Sequence, residues 1–318
     1  MGHDKLRRFA ENETFACLLQ PTSEEVMPDG FFNLKDHPIK GNWAEKMFGR
    51  PGAEIVLELG CGKGEYTIDL ARRYPDKCFI GVDIKGARLW KGAKIATVEK
   101  IPNVAFLRTR IEFITAFFTP GEVSQIWLTF SDPQMKSENS RLTSPLFLER
   151  YRKMLVPGGI VHLKTDSAFL CEYTRQIVDV NNLKRLAYTT DLYATKDDSL
   201  DASLYEVQTF YEKMFLSQGI PITYQSFVID KEGDYLHPTE FDQKAWREKA
   251  ALSQREYWRG GNKNEFTICL GLDDAQNVKW CKAFSWCDLP QMETALESWY
   301  LEHTHLDFKA RLACSPGP

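Results

Sequence analysis

Ile55-Val-Leu-Glu-Leu-Gly-Cys-Gly-Lys-Gly-Glu65 is the stretch whose reading decides the fold. A run of aliphatic residues leads through Glu58, and Gly60, Gly62 and Gly64 then fall on alternate positions. Beyond them Tyr66, Ile68, Leu70 and Ala71 take up helical spacing ahead of Pro75. A short apolar run that breaks at glycines and resumes at helical spacing predicts a buried strand, a tight turn and a helix. Glycine lets such a turn approach a ligand closely, and the unpaired N–H groups of the helix start face it.

The spacing narrows the ligand. A nicotinamide-binding turn reads G-x-G-x-x-G; here the order is E-x-G-x-G-x-G, with Glu65 where that pattern has its third glycine. No G-x-x-x-x-G-K-[ST] is present, which leaves out a phosphate-cradling P-loop. About 20 residues past the glycines, Cys78-Phe-Ile-Gly-Val-Asp83 reads as a second buried strand ending in an acid, the distance at which an αβ unit delivers a carboxylate to a ribose. Asp83 is also placed to cap the helix that begins after Lys85, and the two roles are compatible. The acid at the strand end and the tight glycine alternation resemble motif I of class I S-adenosylmethionine-dependent methyltransferases. Alone, the glycines would make only a turn.

Composition sets wide bounds. The 318 residues suffice for one large domain and something smaller. The net charge is −4, unevenly placed: from Ile229 onward 11 basic residues face 15 acidic ones, against 29 and 29 before it. A neutral domain can still present a basic face to RNA, since local clusters decide affinity for phosphate. The first residues lack an apolar core and no apolar run approaches a membrane span, so a soluble, cytoplasmic chain is expected. Cys61, Cys78, Cys269 and Cys281 sit in apolar strands without C-x-x-C spacing, and read as reduced core residues rather than disulfides or a zinc site. His303 and His305 match no zinc spacing either, and no metal is expected.

Taken in order, residues 1–53 form an arm and lead-in. A basic Lys5-Leu-Arg-Arg8 is either an RNA contact or simply solvated, and Trp43 and Phe48 are candidate anchors. Residues 54–228 alternate strand and helix. A helix over 85–100 carries Arg88, Lys91 and Lys94, and strands follow over 103–108 and 122–130. Ser144-Pro145 starts a helix with Leu148, Tyr151, Met154 and Leu155 on its buried face, and Pro157-Gly-Gly is expected to stop it. A strand over 160–163 ends at Lys164-Thr-Asp166. This alternation implies an α/β fold with a mostly parallel, doubly wound sheet, whose ligands bind beyond the carboxyl ends of the strands. Glu58, Asp83, Asp132 and Asp166 all fall at or just past those ends.

Trp127-Leu-Thr-Phe-Ser-Asp-Pro-Gln134 closes a strand in a polar, proline-stiffened turn. It follows the glycine motif and Phe79-Ile-Gly-Val-Asp83, and precedes Leu155-Val-Pro-Gly-Gly, Lys164-Thr-Asp166 and Thr209-Phe-Tyr-Glu212. In this order the segments resemble the tRNA (guanine-N7)-methyltransferases in their single-chain bacterial form, from Lys5 to about residue 228. The resemblance implies a Rossmann-like class I methyltransferase that moves a methyl group from S-adenosylmethionine to N7 of a guanosine in the variable loop of tRNA. It puts the cofactor on Glu58, Gly60, Gly62, Asp83 and Asp132, makes Asp132 the catalytic residue, and gives substrate contacts to Lys136, Asp166, Thr209 and Glu212. Two departures stand out. Arg110 occupies a position where many members carry an acid or Asn near the adenine, and the Asp-Pro turn runs on as Gln-Met-Lys-Ser-Glu-Asn-Ser-Arg141 without the usual dense basic run. Lys5–Arg8 and the Arg88, Lys91, Lys94 helix are the candidates to compensate. Because N7 carries a lone pair and no proton, transfer needs no general base, and no His or Cys nucleophile is called for near the motifs. The alternative acceptors are another RNA base, a protein or a small molecule.

Residues 229–318 hold five of the eight tryptophans. A helical stretch over 241–259, strands over 266–272 and 278–286, and a helix from Asp288-Leu-Pro290 to about 305 predict a small C-terminal α+β appendage. It reads as a docking surface or a second small domain, too acidic to grip RNA.

Overall fold

The computed structural model describes residues 2–30, 33–248, 265–269 and 281–285. In chain order these hold α1 (Gly2–Asn12), β1 (Leu18–Leu19), α2 (Ser23–Val26), β2 (Ile55–Leu59), α3 (Glu65–Arg73), β3 (Cys78–Asp83), α4 (Gly86–Val98) and β4 (Val104–Arg108). Then come β5 (Val123–Thr129), α5 (Pro145–Arg152), β6 (Leu155–Thr165), α6 (Ala168–Val180), β7 (Lys184–Thr189), α7 (Leu192–Thr195), α8 (Ser203–Glu206), α9 (Phe210–Ser217) and β8 (Thr223–Val228). The eight strands form one sheet in the order β1-β4-β3-β2-β5-β6-β8-β7.

Every residue of β2 and of β3 is buried, as expected of strands covered on both faces. Strands β1 to β6 pair in parallel; β8 runs antiparallel between β6 and β7. The chain steps outward from β2 through β3 to β4, then returns to place β5 on the other side of β2. The strand order therefore reverses between β2 and β5, the position where open α/β sheets bind ligands. Glu58 pairs in register with Trp127 across that junction and with Gly81 on the other side.

Three features differ from the sequence reading. The N-terminal arm is a helix docked on α4: Asn12 Nδ2 donates to Gly86 O at 2.9 Å, Trp90 Nε1 to Glu11 at 2.7 Å, and Arg8 stacks over the Trp90 ring. Behind it, β1 adds to the sheet edge by pairing with β4. Pro157-Gly-Gly does not end a helix. The helix ends at Arg152, and Pro157–Gly159 is an irregularity inside β6, where Leu155 pairs with Val123 and Ile160 with Gln125.

The chain divides into two compact units, Met1–Phe241 and Asp242–Pro318, thirteen residues beyond the boundary expected at 228. Residues after β8 belong to the first unit: Arg152 Nη1 donates to Lys231 O and Gly233 O, and Asn181 exchanges hydrogen bonds with Leu236. In the second unit the described residues comprise a helical turn at 243–248 and the antiparallel strands β9 (Glu265–Cys269) and β10 (Cys281–Ser285), at the places expected for its two strands. The helix expected up to residue 305, with His303 and His305, lies outside the described residues. Among the described residues no helix is long and apolar enough to cross a membrane.

Candidate active site

The glycine turn follows directly from β2. Gly60 and Gly62 hold φ of +80° and +58°, and nothing lies within 4 Å of where a Cβ would stand on either. Gly64 is required for the opposite reason: a Cβ there would sit 2.4 Å from the Phe106 ring, so this glycine serves helix-on-sheet packing. Gly60 N and Cys61 N both donate to Val82 O, which binds the turn to the end of β3. Asp83 completes the cradle. Its carboxylate accepts Gly62 N–H at 3.0 Å on one oxygen and Lys85 N–H at 2.7 Å on the other. Each oxygen keeps a lone pair for a further donor. The open face of the glycines and the free acceptor capacity of Asp83 fit an adenosyl group whose ribose offers two hydroxyls. Asp83→Ala is expected to weaken S-adenosylhomocysteine binding, read by calorimetry, about 10- to 100-fold, the worth of one or two hydrogen bonds to a charged group.

Glu58 lies beneath this turn, 3% exposed, with the hydroxyls of Thr67 (α3) and Thr129 (β5) donating to its two oxygens. Its carboxylate ties β2 to its neighbours. Burial pushes its pKa from 4.5 up to about 7, with Asp83 adding to the rise and the two hydroxyls opposing it. Between those values the folded chain holds a proton that the unfolded chain has released, so this group's contribution to stability falls as pH rises through that interval. Glu58→Gln removes the titration. Its unfolding free energy relative to the unmodified protein is expected to improve by about 3 kcal/mol between about pH 5 and about pH 8, measured by urea denaturation.

Strand β5 delivers the second half of the site. Just past it, Phe130 and Gln134 adopt left-handed backbone at φ +50° and +47°, a conformation that costs non-glycine residues about 1–3 kcal/mol and gathers at functional turns. Asp132 stands exposed between them, its Oδ1 accepting Gln134 N–H at 2.9 Å. Lys136 is exposed two residues further on. Phe130 N donates to Lys164 O at 2.9 Å, which sets this turn beside the end of β6. There Asp166 is half-buried, and burial raises its pKa. Because β2, β3, β5 and β6 are parallel, the glycine turn, Asp83, Asp132 and Asp166 share one rim of the sheet.

The Thr209–Glu212 segment is organised differently from the sequence expectation. Thr209 caps α9, its hydroxyl accepting Glu212 N–H at 3.1 Å. The Glu212 side chain turns inward with no exposure and pairs with Lys164, also fully buried, at 2.6 Å. Tyr193 OH donates to the same carboxylate at 2.6 Å. Thr209 is accessible at the helix start, whereas Glu212 braces it from below. The sequence signal available for this pair is a lysine directly after the mostly apolar Ile160–Leu163 run, which the structure includes in β6.

The basic residues expected to help hold RNA are mostly engaged elsewhere. Lys91 pairs with Glu65 at 2.7 Å and Lys94 with Glu11 at 2.9 Å, while Arg88 is exposed. Arg110 bonds Glu112 at 3.1 Å and lies over the Phe113 ring.

A cavity of about 350 Å³ opens over a different part of the sheet, lined by Trp127, His162, Tyr224, Asp201 and Leu204 among others; Glu58, Asp83 and Asp132 do not line it. His162 stacks on Trp127 at 4.0 Å and shares a 2.9 Å hydrogen bond with Tyr224 OH. Burial lowers its pKa to about 3, so it is a neutral core residue with no acid–base role near neutral pH. Among the described residues no group of three His, Cys, Asp or Glu could hold a metal ion.

Residues 52–224 match a family model described as "Putative methyltransferase". The tRNA (guanine-N(7)-)-methyltransferase of Bacteroides fragilis is 46% identical over 238 residues, covering 75% of this chain and 90% of that protein. That of Christiangramia forsetii is 49% identical over 228 residues, 71% of this chain and 98% of the relative. The enzyme of the same name from Cytophaga hutchinsonii is 39% identical, with 71% and 98% covered. With a parallel sheet reversing at a glycine turn and relatives matched along nearly their full length, this chain belongs to the tRNA (guanine-N(7)-)-methyltransferase family.

Proposed function

We propose that this protein transfers the methyl group of S-adenosylmethionine to N7 of a guanosine in the variable loop of tRNA. The observation that carries the reading is the shared rim: the cradle of Gly60, Gly62 and Asp83 stands beside the Asp132 turn where the strand order reverses. Bound there, the sulfonium supplies an electrophilic methyl. Asp83 takes the ribose hydroxyls. Asp132 stands where the guanine ring gains positive charge, and its carboxylate stabilises that charge. Asp132 and Asp166 are the acceptors available to N1–H and the exocyclic N2–H2 of guanine, an edge that adenine does not offer. Lys136 holds a backbone phosphate and Thr209 borders the acceptor. Most of the acceleration comes from alignment of N7 with the breaking S–C bond, since no proton has to be removed. The reading places the enzyme in the cytoplasm with its tRNA.

The test is to incubate the protein with labelled S-adenosylmethionine and unmodified tRNA, then map the product by borohydride and aniline cleavage. Label that appears with a single cleavage in the variable loop supports the reading. Label at another base, or in protein only, overturns it.

A further inference from the structure

We infer that Arg141 is a positioning residue for methyl transfer: a buried strut that fixes the Asp132 turn against the start of α6 and so sets Asp132 relative to Asp166. The inference rests on the proposed role of Asp132 in the reaction.

The turn needs such a strut. Asp132, Lys136, Ser137, Asn139 and Ser140 are exposed, and the backbone hydrogen bonds from Ser137 to Gln134 and from Ser140 to Ser137 are local to the turn. Phe130 and Gln134 hold left-handed conformations that persist only where the surroundings enforce them. Arg141 closes the segment, and its side chain is completely buried. Its Nε donates to Pro133 O, the carbonyl next to Asp132, at 3.3 Å. Its guanidinium stands 4.7 Å from the Phe169 ring, 4.4 Å from Tyr173 and 5.7 Å from Phe241. Phe169 and Tyr173 belong to α6, whose cap Ser167 directly follows Asp166. One planar cation thus touches the backbone of the Asp132 turn and the helix that leaves the Asp166 turn. A guanidinium combines a directional N–H with faces that stack on aromatic rings, and an ammonium cannot do both. In a chain whose turn lacks a dense basic run, this arginine is spent inward on geometry rather than outward on phosphate.

The test is a double-mutant cycle read by single-turnover methyl transfer to tRNA, with calorimetric S-adenosylhomocysteine binding alongside. Arg141→Met is expected to lower the transfer rate about 10- to 100-fold, as a displaced reacting group does, with donor affinity unchanged. In the Asp132→Ala background the same substitution is expected to cost less than about twofold more. Arg141→Lys, which keeps charge and bulk, is expected to rescue folding but not rate, and serves if the Met variant does not fold. Full additivity with Asp132→Ala, a normal rate in Arg141→Lys, or a loss confined to donor affinity would each overturn the inference. Asp132→Ala acting at full rate would instead refute the role of Asp132 itself.

Discussion

Asp132→Ala is expected to lower the single-turnover rate of methyl transfer by about 10²- to 10³-fold, the range for removing one preorganised electrostatic group from a reaction centre. The unfolding midpoint and the far-UV circular dichroism should not change. The side chain is exposed, and the hydrogen bond it accepts from Gln134 N–H closes only its own turn. Asp132→Asn separates charge from shape. The amide oxygen can keep the turn, yet it offers the methylated ring no negative charge. If stabilisation of that charge is the dominant contribution, Asn behaves like Ala to within a few fold. Near-normal turnover by a folded Asp132→Ala protein would remove this residue from the mechanism.

Lys164→Met is expected to destabilise the first unit by about 3–5 kcal/mol, the cost of stripping one partner from a buried ion pair. Lys164 uses all three of its protons: Glu212 at 2.6 Å, Leu204 O at 2.6 Å and Val207 O at 3.2 Å. Burial lowers its pKa, and the facing Glu212 carboxylate works against that. Substitution by Met strips two carbonyls of their lysine donor and leaves the buried Glu212 charge without its cation, held by Tyr193 OH alone, in a site that water does not reach. Urea denaturation measures the loss. Removing the charge on both sides, in Lys164→Met with Glu212→Gln, should recover part of it, because an uncompensated buried charge costs more than a neutral pair. Equal stability of the single and double variants would show that the orphaned carboxylate carries no such cost, and would contradict this account. Since Lys164 also holds the loop that leads into α9, the single variant should in addition raise the KM for tRNA through the displaced Thr209.

Much of the fold could be read in the sequence because its signals are local. The aliphatic run into Glu58, the glycines and the helical spacing after them predict β2, its turn and α3, and all three form. The parallel strands ending at Asp83 and Thr129 were equally legible, since each is a short apolar run bounded by turn residues. A two-residue strand such as β1 has no periodicity to detect, and the amphipathic α1 gave no sign of what it packs against. Pro157-Gly-Gly does not discriminate between the two outcomes, because proline and glycine mark a helix stop and a strand irregularity alike.

The site was legible in outline only. Strand ends fix which residues reach the rim, but not whether a side chain turns toward ligand or core. Spacing puts Glu58 and Asp83 on equal footing. The hydroxyls of Thr67 and Thr129 bury the first, while backbone N–H groups hold the second at the turn. The inward rotation of Glu212 depends on Lys164, and the burial of Arg141 on rings from α6 and Phe241. Such long-range pairings are set by packing, which a single chain's pattern does not record.

A crystal structure of the protein with S-adenosylhomocysteine tests the central claim most directly. The ribose hydroxyls are expected within hydrogen-bond distance of Asp83, the amino-acid portion over the open faces of Gly60 and Gly62, and the sulfur turned toward the Asp132 turn. Product bound instead in the cavity beside Trp127 and His162, with Asp83 unengaged, would contradict it.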